Sequence, residues 1–551
     1  VLSPPRARSV VLGLSSTRAI LAAASGLVFA ASTPPVDVQP GILLGLVGLA
    51  VALAAYPVRS GGWLGFLFGL TTNLTALRFV PEVIQRFTSL PAVAGWLALV
   101  LLSAAQALPW TAGAALARWL SCPRVGSVRP ATPPPLAFAI GVYAATFIPA
   151  IFPWTPAGGL ARWPLLLQTA ELVGERGTSF LVAIGCGLVA NAGLRIYRHT
   201  GAFAARARAG ARPLGLAAAI FGVLAAYGAV RMRAIDDARE AAPHAKVALV
   251  QPDFEAMFRW EAHRAEMMMD RLSALTRRAE AEGAVLTVWP ESAYPYTLPH
   301  GTRTSPRGRR AVLQQGVRGP VLTGAYMSKG GGVGTNSAIL VMPSGEISPS
   351  YDKRHLLWFG ETVPLGDVFP FLRRVFARGT GLDAGTESVR FEAGPIAAAV
   401  LNCYEDTLPQ AGREAMEVRP NLLVNVTNDA WFAGSAEGEL HLRLSVLRAV
   451  EARRDLVRAV NRGPTSWVDA AGRIRARRDP TPELGPPPPL LVDAALLDAP
   501  VTLYARAGDA PLAALIAGAI GLPWVRRRLR RSAVSNQPSA VSGQGQGPTD
   551  G

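Results

Sequence analysis

Three residues of different reactivity each close an apolar stretch: Glu291 after Val288-Trp289-Pro290, Lys353 after Tyr351-Asp352, and Cys403 after the run from Ala397 to Asn402. Together they could form a thiol acyl-transfer centre. A neutral thiol is a poor nucleophile near neutral pH, whereas its thiolate is a strong one. A carboxylate within hydrogen-bond reach can take the proton, and an ammonium nearby steadies the charge that results. Attack on an acyl carbon then builds an oxyanion, which a lysine and the backbone N–H after the nucleophile can bind. Losing one such donor costs roughly 2.7–4 kcal/mol. Separation along the chain is no obstacle, because strand ends from distant segments meet at one edge of a sheet.

Each residue also has a plainer reading on composition alone. A free cysteine is commonly a small buried hydrophobe, and Cys122 and Cys186 fit that role. Glu291 could cap a turn, Lys353 could be a solvated strand-end charge, and Glu361 an ordinary loop acid. Trp260 and Met267-Met268-Met269 suit helix-to-core packing, and Trp431-Phe432 after Asn428-Asp429 an aromatic corner. The three cysteines are too scattered for a disulfide framework. No CxxC or HExxH spacing occurs, and the six histidines form no ligand cluster in the sequence.

The elements that must position these residues divide the chain. Its 551 residues exceed one compact core. Half are hydrophobic, only 17% are charged, and the mean hydropathy is +0.26, as in a membrane protein with a soluble part. Residues 1–232 are apolar runs broken by Gly, Pro and Arg, and suggest about seven spans near 15–32, 40–58, 61–80, 91–117, 136–151, 178–195 and 213–231. An eighth apolar run covers 510–525. With the N-terminus inside, the inside segments carry Arg6, Arg8, Arg59, Arg118, Arg124, Arg129, Arg195, Arg198, Arg206, Arg208 and Arg212, and the last run is followed by the arginine cluster of 526–531. The outside segments hold few arginines, among them Arg86, Arg162 and Arg176, beside Glu82, Glu171 and Glu175. This alternation follows the positive-inside rule and puts the polar block on the far side of the membrane. The alternative makes the first run a cleaved signal peptide ending at Ala30-Ala31-Ser32, which leaves the later topology unchanged. The net charge of +17 does not point to nucleic acid, since no basic patch is interleaved with aromatics.

Residues 245–505 suggest a soluble α/β domain. Strands are expected at 246–251, 285–289, 321–326, 337–342, 396–402 and 422–426, with helices at about 259–282 and 441–454. Strands alternate with helices at first and then pair directly, which suggests sheets layered together and covered by helices. Residues 476–490, with Pro486–Pro489, suggest a rigid linker or loop, and the tail 532–551 a disordered segment.

The order Pro290-Glu291-Ser292, Lys353, Asn402-Cys403-Tyr404-Glu405 resembles the Glu-Lys-Cys triad of the nitrilase superfamily. A fuller set of motifs resembles the bacterial apolipoprotein N-acyltransferases. It comprises Tyr351-Asp352-Lys353-Arg354-His355-Leu356, Phe359-Gly360-Glu361, Val363-Pro364, Thr427-Asn428-Asp429-Ala430-Trp431-Phe432, His441 and Arg448–Arg453. Phe152-Pro153-Trp154, Glu175 and Tyr504–Asp509 fit as well, so the likeness covers nearly the whole chain. Two places depart from the family pattern: Leu357-Trp358 where Val-Pro is usual, and Ala433 where glycine directly follows Trp-Phe.

The resemblance implies a membrane all-α bundle of about eight transmembrane helices carrying an α/β nitrilase-like α-β-β-α sandwich. It also implies transfer of a fatty acyl chain from a phospholipid, through a cysteine thioester, to the N-terminal amine of a diacylglyceryl-cysteine lipoprotein. Catalytic roles fall to Glu291 (base), Lys353 (charge stabiliser) and Cys403 (nucleophile). Glu361, Glu405 and Tyr404 are supporting residues, and Trp260 and Trp431 substrate-binding ones. No metal or diffusible cofactor is implied. The expected setting is the bacterial inner membrane, with a monomeric enzyme and its catalytic domain on the periplasmic side. A membrane-tethered hydrolase using the same triad is the alternative enzyme. A transporter or scaffold would need paired intramembrane charges or broken helices, of which the sequence offers little.

Overall fold

The computed structural model describes residues 16–54, 57–87, 90–121, 132–255, 264–364, 366, 368–375, 381–481 and 485–521. Trp260, Cys122, the arginines at 526–531 and the tail 532–551 lie outside the described residues.

Each apolar run expected in the first part carries a helix. These are α1 (Ser16–Ala30), α2 (Pro40–Leu53), α3 (Val58–Ala76), α5 (Ala92–Ser121), α6 (Pro134–Ala145), α8 (Ala170–Arg198) and α9 (Phe203–Ala241). Two shorter helices were not expected, α4 (Val80–Phe87) and the single turn α7 (Pro156–Gly159). The expectation of about eight transmembrane helices is met in part. Among the described residues three helices, α5, α8 and α9, are long and apolar enough to cross a membrane. A fourth is possible if α3 and α4, bent by 50° at their break, count as one span. α1, α2, α6 and a helix at Ala510–Gly521 are apolar but shorter. Proline punctuation accounts for part of this, since Pro40 and Pro134 open α2 and α6 and fix where those helices begin.

α9 runs past the expected end at 231. Its last turns are polar, and they persist because their charges find partners in the second part of the chain. Asp236 pairs with Arg473 at 2.6 Å, and Arg239 makes a two-pronged pair with Asp455 at 2.9 and 3.0 Å.

The second part is built from two sheets. In the first, β1 (His244–Leu249), β2 (Leu286–Val288) and β4 (Val321–Gly330) run parallel. β5 (Val333–Val341) and β6 (Tyr351–Asp352) follow in antiparallel order, β13 (Leu490–Ala495) closes the other edge, and β3 (Leu298–Pro299) joins β4. The second sheet has the order β12-β11-β10-β9-β8-β7. Its strands are β7 (Arg390–Ala393), β8 (Ile396–Asn402), β9 (Leu422–Asn428), β10 (Asp455–Asn461), β11 (Thr465–Val468) and β12 (Ile474–Arg478). β8, β9 and β10 are parallel. β12 replaces the start of the linker expected at 476–490, because Ile474–Arg478 pairs its backbone with β11.

Alternation along the strands sets the layers. Ala398 and Val400 of β8 face the first sheet with Val424 of β9, Val288 and Leu322, while Ala399 and Leu401 face outward. The outward side is covered by α12 (Pro409–Ala415) and α13 (Glu437–Ala452), through Ala411, Leu442, Val446 and Ala449. The outer side of the first sheet is covered by α10 (Ala265–Ala281), through Met268, Met269 and Leu272. The result is the expected α-β-β-α sandwich; α11 (Pro370–Val375) and α14 (Leu503–Ala507) lie in its connections.

The sandwich is fastened to the helices by buried charge. Arg448 of α13 is fully buried and pairs with Glu175 of α8 at 2.6 Å and with Glu451 at 3.0 Å. The Glu175 backbone N–H donates to Glu451 at 2.7 Å. Arg453 reaches Glu171 at 2.8 Å. α8 bends at Gly174, which takes φ of +69°. A Cβ there would lie 2.2 Å from the Tyr504 ring, so only glycine lets α8 meet the chain returning through α14.

Candidate active site

Glu291, Lys353 and Cys403 converge at the carboxyl ends of β2 and β8, beside β6. That is the edge at which open parallel sheets collect their functional side chains. The turn after β2 is tight: Ser292 takes φ of +55° and the strand backbone passes against Gly324 of β4. A Cβ on Gly324 would fall 2.6 Å from the Glu291 Cα, so a larger residue would push the carboxylate out of place. Trp289 anchors the same turn, fully buried, with its indole N–H donating to Thr276 of α10 at 2.8 Å.

Lys353 is 1% exposed. Its ammonium contacts Glu361 at 2.8 Å and Glu291 at 3.5 Å, and lies 5.4 Å from the centre of the Tyr404 ring. Burial disfavours its charge, but Glu361 and then Glu291 outweigh that penalty and hold Lys353 well above the ordinary lysine range. The lysine is therefore a fixed cation.

Cys403 begins a one-turn helix, Cys403–Thr407, with φ of +55°. Asn425 holds this sharp elbow by donating to the Leu401 and Cys403 carbonyls at 3.0 and 2.9 Å. Burial and the charge of Glu291 push the thiol well above its usual range, while Lys353 and a hydrogen bond from Thr427 pull the other way. At rest the sulfur keeps its proton and needs a base to lose it.

Glu405 does not touch the ammonium. It accepts from the backbone N–H groups of Asn402, Arg354 and His355 at 2.7, 2.8 and 3.0 Å, and from the Tyr351 hydroxyl at 2.8 Å. It thus clips the segment carrying Lys353 to the nucleophile turn. Burial still raises its pKa, against the pull of Lys353 and these donors. The Tyr404 hydroxyl donates to the Leu356 carbonyl at 3.1 Å.

One residue of the site carries no motif signal. Asn336 of β5 is 1% exposed and donates to both Glu291 and Glu361 at 2.7 Å. Its own oxygen accepts from Asn402 at 3.2 Å, and its backbone carbonyl accepts from the Lys353 N–H at 2.8 Å. The only trace in the sequence is the polar run Thr335-Asn336-Ser337 inside a buried strand.

Behind the nucleophile lies a second buried cluster. His441 is hydrogen-bonded through Nε2 to Asp406 at 2.9 Å and through Nδ1 to Asp429 at 3.1 Å, and Asp406 also pairs with Arg458 at 2.8 Å. Burial works against charging His441, but Asp406 and Asp429 outweigh it and raise its pKa to about 10. Ligand atoms of Asp429, Glu437 and His441 lie within 4.8 Å of one another. With the His441 ring held between Asp406 and Asp429, these groups form a buried ion-pair cluster.

A cavity of about 320 Å³ opens beside Tyr404. Leu357, Trp358 and His355 form one wall, and Phe147, Ile148 and Phe152 from the loop after α6 form the other. The departure Leu357-Trp358 therefore lies in the cavity wall. Trp431 is half-buried in the turn Asp429–Phe432 and does not line this cavity. Its neighbour Phe432 stacks edge-on against Phe79, 5.8 Å between ring centres, joining that turn to the helices. Trp260 cannot be placed, being outside the described residues.

Two family descriptions match the chain: the apolipoprotein N-acyltransferase N-terminal domain over residues 25–188, and carbon-nitrogen hydrolase over residues 246–485. An apolipoprotein N-acyltransferase of Geobacter metallireducens is 30% identical over 511 residues, covering 91% of this chain and 93% of that protein. The chain belongs to the apolipoprotein N-acyltransferase family. A family member from Bradyrhizobium diazoefficiens is 33% identical over 411 residues, covering 69% of this chain and 70% of that protein. Among solved structures, a mutant amidase of the nitrilase superfamily from Nesterenkonia AN1 matches with 20% identity and a TM-score of 0.36, over 49% of this chain and 96% of its own.

Replacing Asn336 with Leu removes a donor from two carboxylates at once. A hydrogen bond to a charged group contributes about 1.5–3 kcal/mol, so if the loss of even one of the two reaches the transition state, N336L lowers kcat by at least ~10- to 100-fold, with a smaller change in KM. A wild-type kcat in N336L would contradict the role assigned here. His441 has a pKa of about 10 in the folded chain against an ordinary 6.5, so its stabilisation is complete below 6.5 and is lost as pH rises through about 10. Thermal melts from neutral pH to pH 10 should fall more steeply for the wild type than for H441N, which starts lower.

Proposed function

We propose that this protein moves a fatty acyl chain from a membrane phospholipid to the N-terminal amine of a diacylglyceryl-cysteine lipoprotein. The observation that carries this reading is a buried carboxylate–ammonium pair beside a thiol, whose chain neighbour Tyr404 lines a cavity with its far wall on α5 and the loop after α6. In the first step Glu291 takes the Cys403 proton as sulfur attacks the ester carbonyl. The Lys353 ammonium and a backbone N–H of the nucleophile turn bind the oxyanion. The ester C–O bond breaks, Glu291 returns the proton to the departing alkoxide, and a lyso-phospholipid leaves. In the second step the lipoprotein amine, with a reference pKa near ~8 and so partly neutral at pH 7, attacks the thioester. Its C–S bond breaks, and Glu291 passes the amine proton to the thiolate.

Glu361 and Asn336 hold Glu291 and Lys353 in place. Glu405 fixes the Lys353 segment and Tyr404 borders the cavity, while the substrate-binding role expected of Trp431 falls outside that cavity and that of Trp260 outside the described residues. In this reading residues 1–232 are the membrane domain, with about seven membrane segments, residues 245–505 the catalytic domain and 510–525 a C-terminal membrane segment. The charge alternation supports a catalytic domain on the side of the membrane away from the arginine-rich loops, which in this reading is the periplasmic side of the inner membrane, and the enzyme acts as a monomer. Both substrates carry long chains, and each CH₂ moved into water costs about 0.8 kcal/mol. A site reached sideways from the bilayer avoids that cost and limits water that would hydrolyse the thioester.

Purified protein given acyl-labelled phospholipid and a diacylated lipopeptide should place the label on the peptide as an amide. Cys403→Ala should abolish transfer, and Glu291→Gln should reduce it by at least ~100-fold. Release of free fatty acid with no N-acylated peptide would instead identify a membrane-tethered hydrolase.

A further inference from the structure

A second cavity lies at the other end of the helical part, remote from the chemistry. It has a volume of about 160 Å³ and opens between the ends of α2, α5, α6 and α8. Arg118, Arg195 and Arg198 line it together with the apolar Leu53, Phe138 and Leu194, and no carboxylate is among its described lining residues. Arg118 is 7% exposed and donates to the Ser121 hydroxyl at 3.1 Å. Arg195 and Arg198 are exposed at the last turn of α8, where Arg195 donates to Asn191 at 3.3 Å.

The depth of this cavity follows from α8. Its first turns contact the catalytic domain through Glu175, and the helix then runs unbroken to Arg195. At 1.5 Å per residue that stretch spans roughly 30 Å, about the thickness of a hydrocarbon core. Exposed aromatics lie at the same end: Trp119 in the last turn of α5, Tyr197 in that of α8 and Phe203 in the first turn of α9. Aromatics exposed at one level on a helical bundle mark the bilayer–water boundary.

We propose that this cavity binds the headgroup of an anionic phospholipid in the leaflet opposite the catalytic domain. Guanidinium groups grip phosphate oxygens in pairs, and basic pockets between membrane helices recognise anionic headgroups. The apolar wall takes the start of the acyl chains. The positive-inside rule alone would place arginines at this end, but it does not gather three of them around one cavity. Arg206 and Arg208, at the same end on α9, do not line it, and they provide the control. The inference rests on the helices spanning a bilayer and not on the acyl-transfer chemistry.

The test is native mass spectrometry of the full chain with diether phosphatidylglycerol, which has no ester to donate, beside diether phosphatidylcholine and inorganic phosphate. Wild-type protein should retain one phosphatidylglycerol in preference to phosphatidylcholine. Retention should fall by about 30-fold in R195Q/R198Q, the effect of losing two guanidiniums at a membrane surface. It should be unchanged in R206Q/R208Q, which carries the same net charge. Both pairs are exposed, and equal melting temperatures without lipid would show that folding is intact. Equal retention of the two lipids, equal loss in both double variants, or displacement of phosphatidylglycerol by inorganic phosphate would each overturn the proposal. Loss of acyl transfer without loss of this binding would bear on the catalytic reading alone.

Discussion

An ammonium sealed inside a protein is tolerated only when opposite charge meets it, and Lys353 imposes that condition on everything around it. Glu361 at 2.8 Å and Glu291 at 3.5 Å supply the charge. Two carboxylates that close would repel each other, and the Asn336 amide donates to both. The β2 end, β5, the β6 end and the loop bearing Glu361 must therefore reach fixed positions before the lysine can be buried. Cys403 then sits in a field where its proton stays bound until Glu291 removes it, so the thiolate exists only as attack occurs.

The second constraint is the junction between the sandwich and the helices. Arg448, Arg453 and Asp455 each spend their charge on partners in α8 or α9. Breaking one side of such a buried pair costs about 3–5 kcal/mol, because the other charge is left stranded. The pairs thus act less as glue than as a register, fixing which edge of the sandwich faces the membrane loops. That edge is the one carrying Tyr404 and the cavity.

Much of this was legible in the residues. Cys403, Glu291 and Lys353 each end an apolar run, and that pattern marks strand ends at a sheet edge. The layered sheets followed from strands that alternate with helices and then pair directly, and the α-β-β-α sandwich from the family resemblance. The misses share a cause: partners far away in sequence decided them. Asn336 lies just before the strand expected at 337–342 and carried no signal, because its two carboxylates come from other segments. α9 outran its apolar pattern because Asp236 and Arg239 are paired across the junction. β12 looked like part of a linker because Arg475, Arg477 and Arg478 are polar, yet its backbone is claimed by β11. The span count is matched in part for a different reason: α1, α2 and α6 are apolar but shorter than their runs suggested.

The most direct test of the central claim, a cysteine acylated under the control of a buried lysine, is peptide mass spectrometry after exposure to phospholipid alone. The peptide bearing Cys403 should gain one fatty acyl mass that hydroxylamine removes, and Lys353→Met protein of unchanged fold should gain none. An acyl group on another residue, or equal acylation of Cys403 in Lys353→Met, would contradict it.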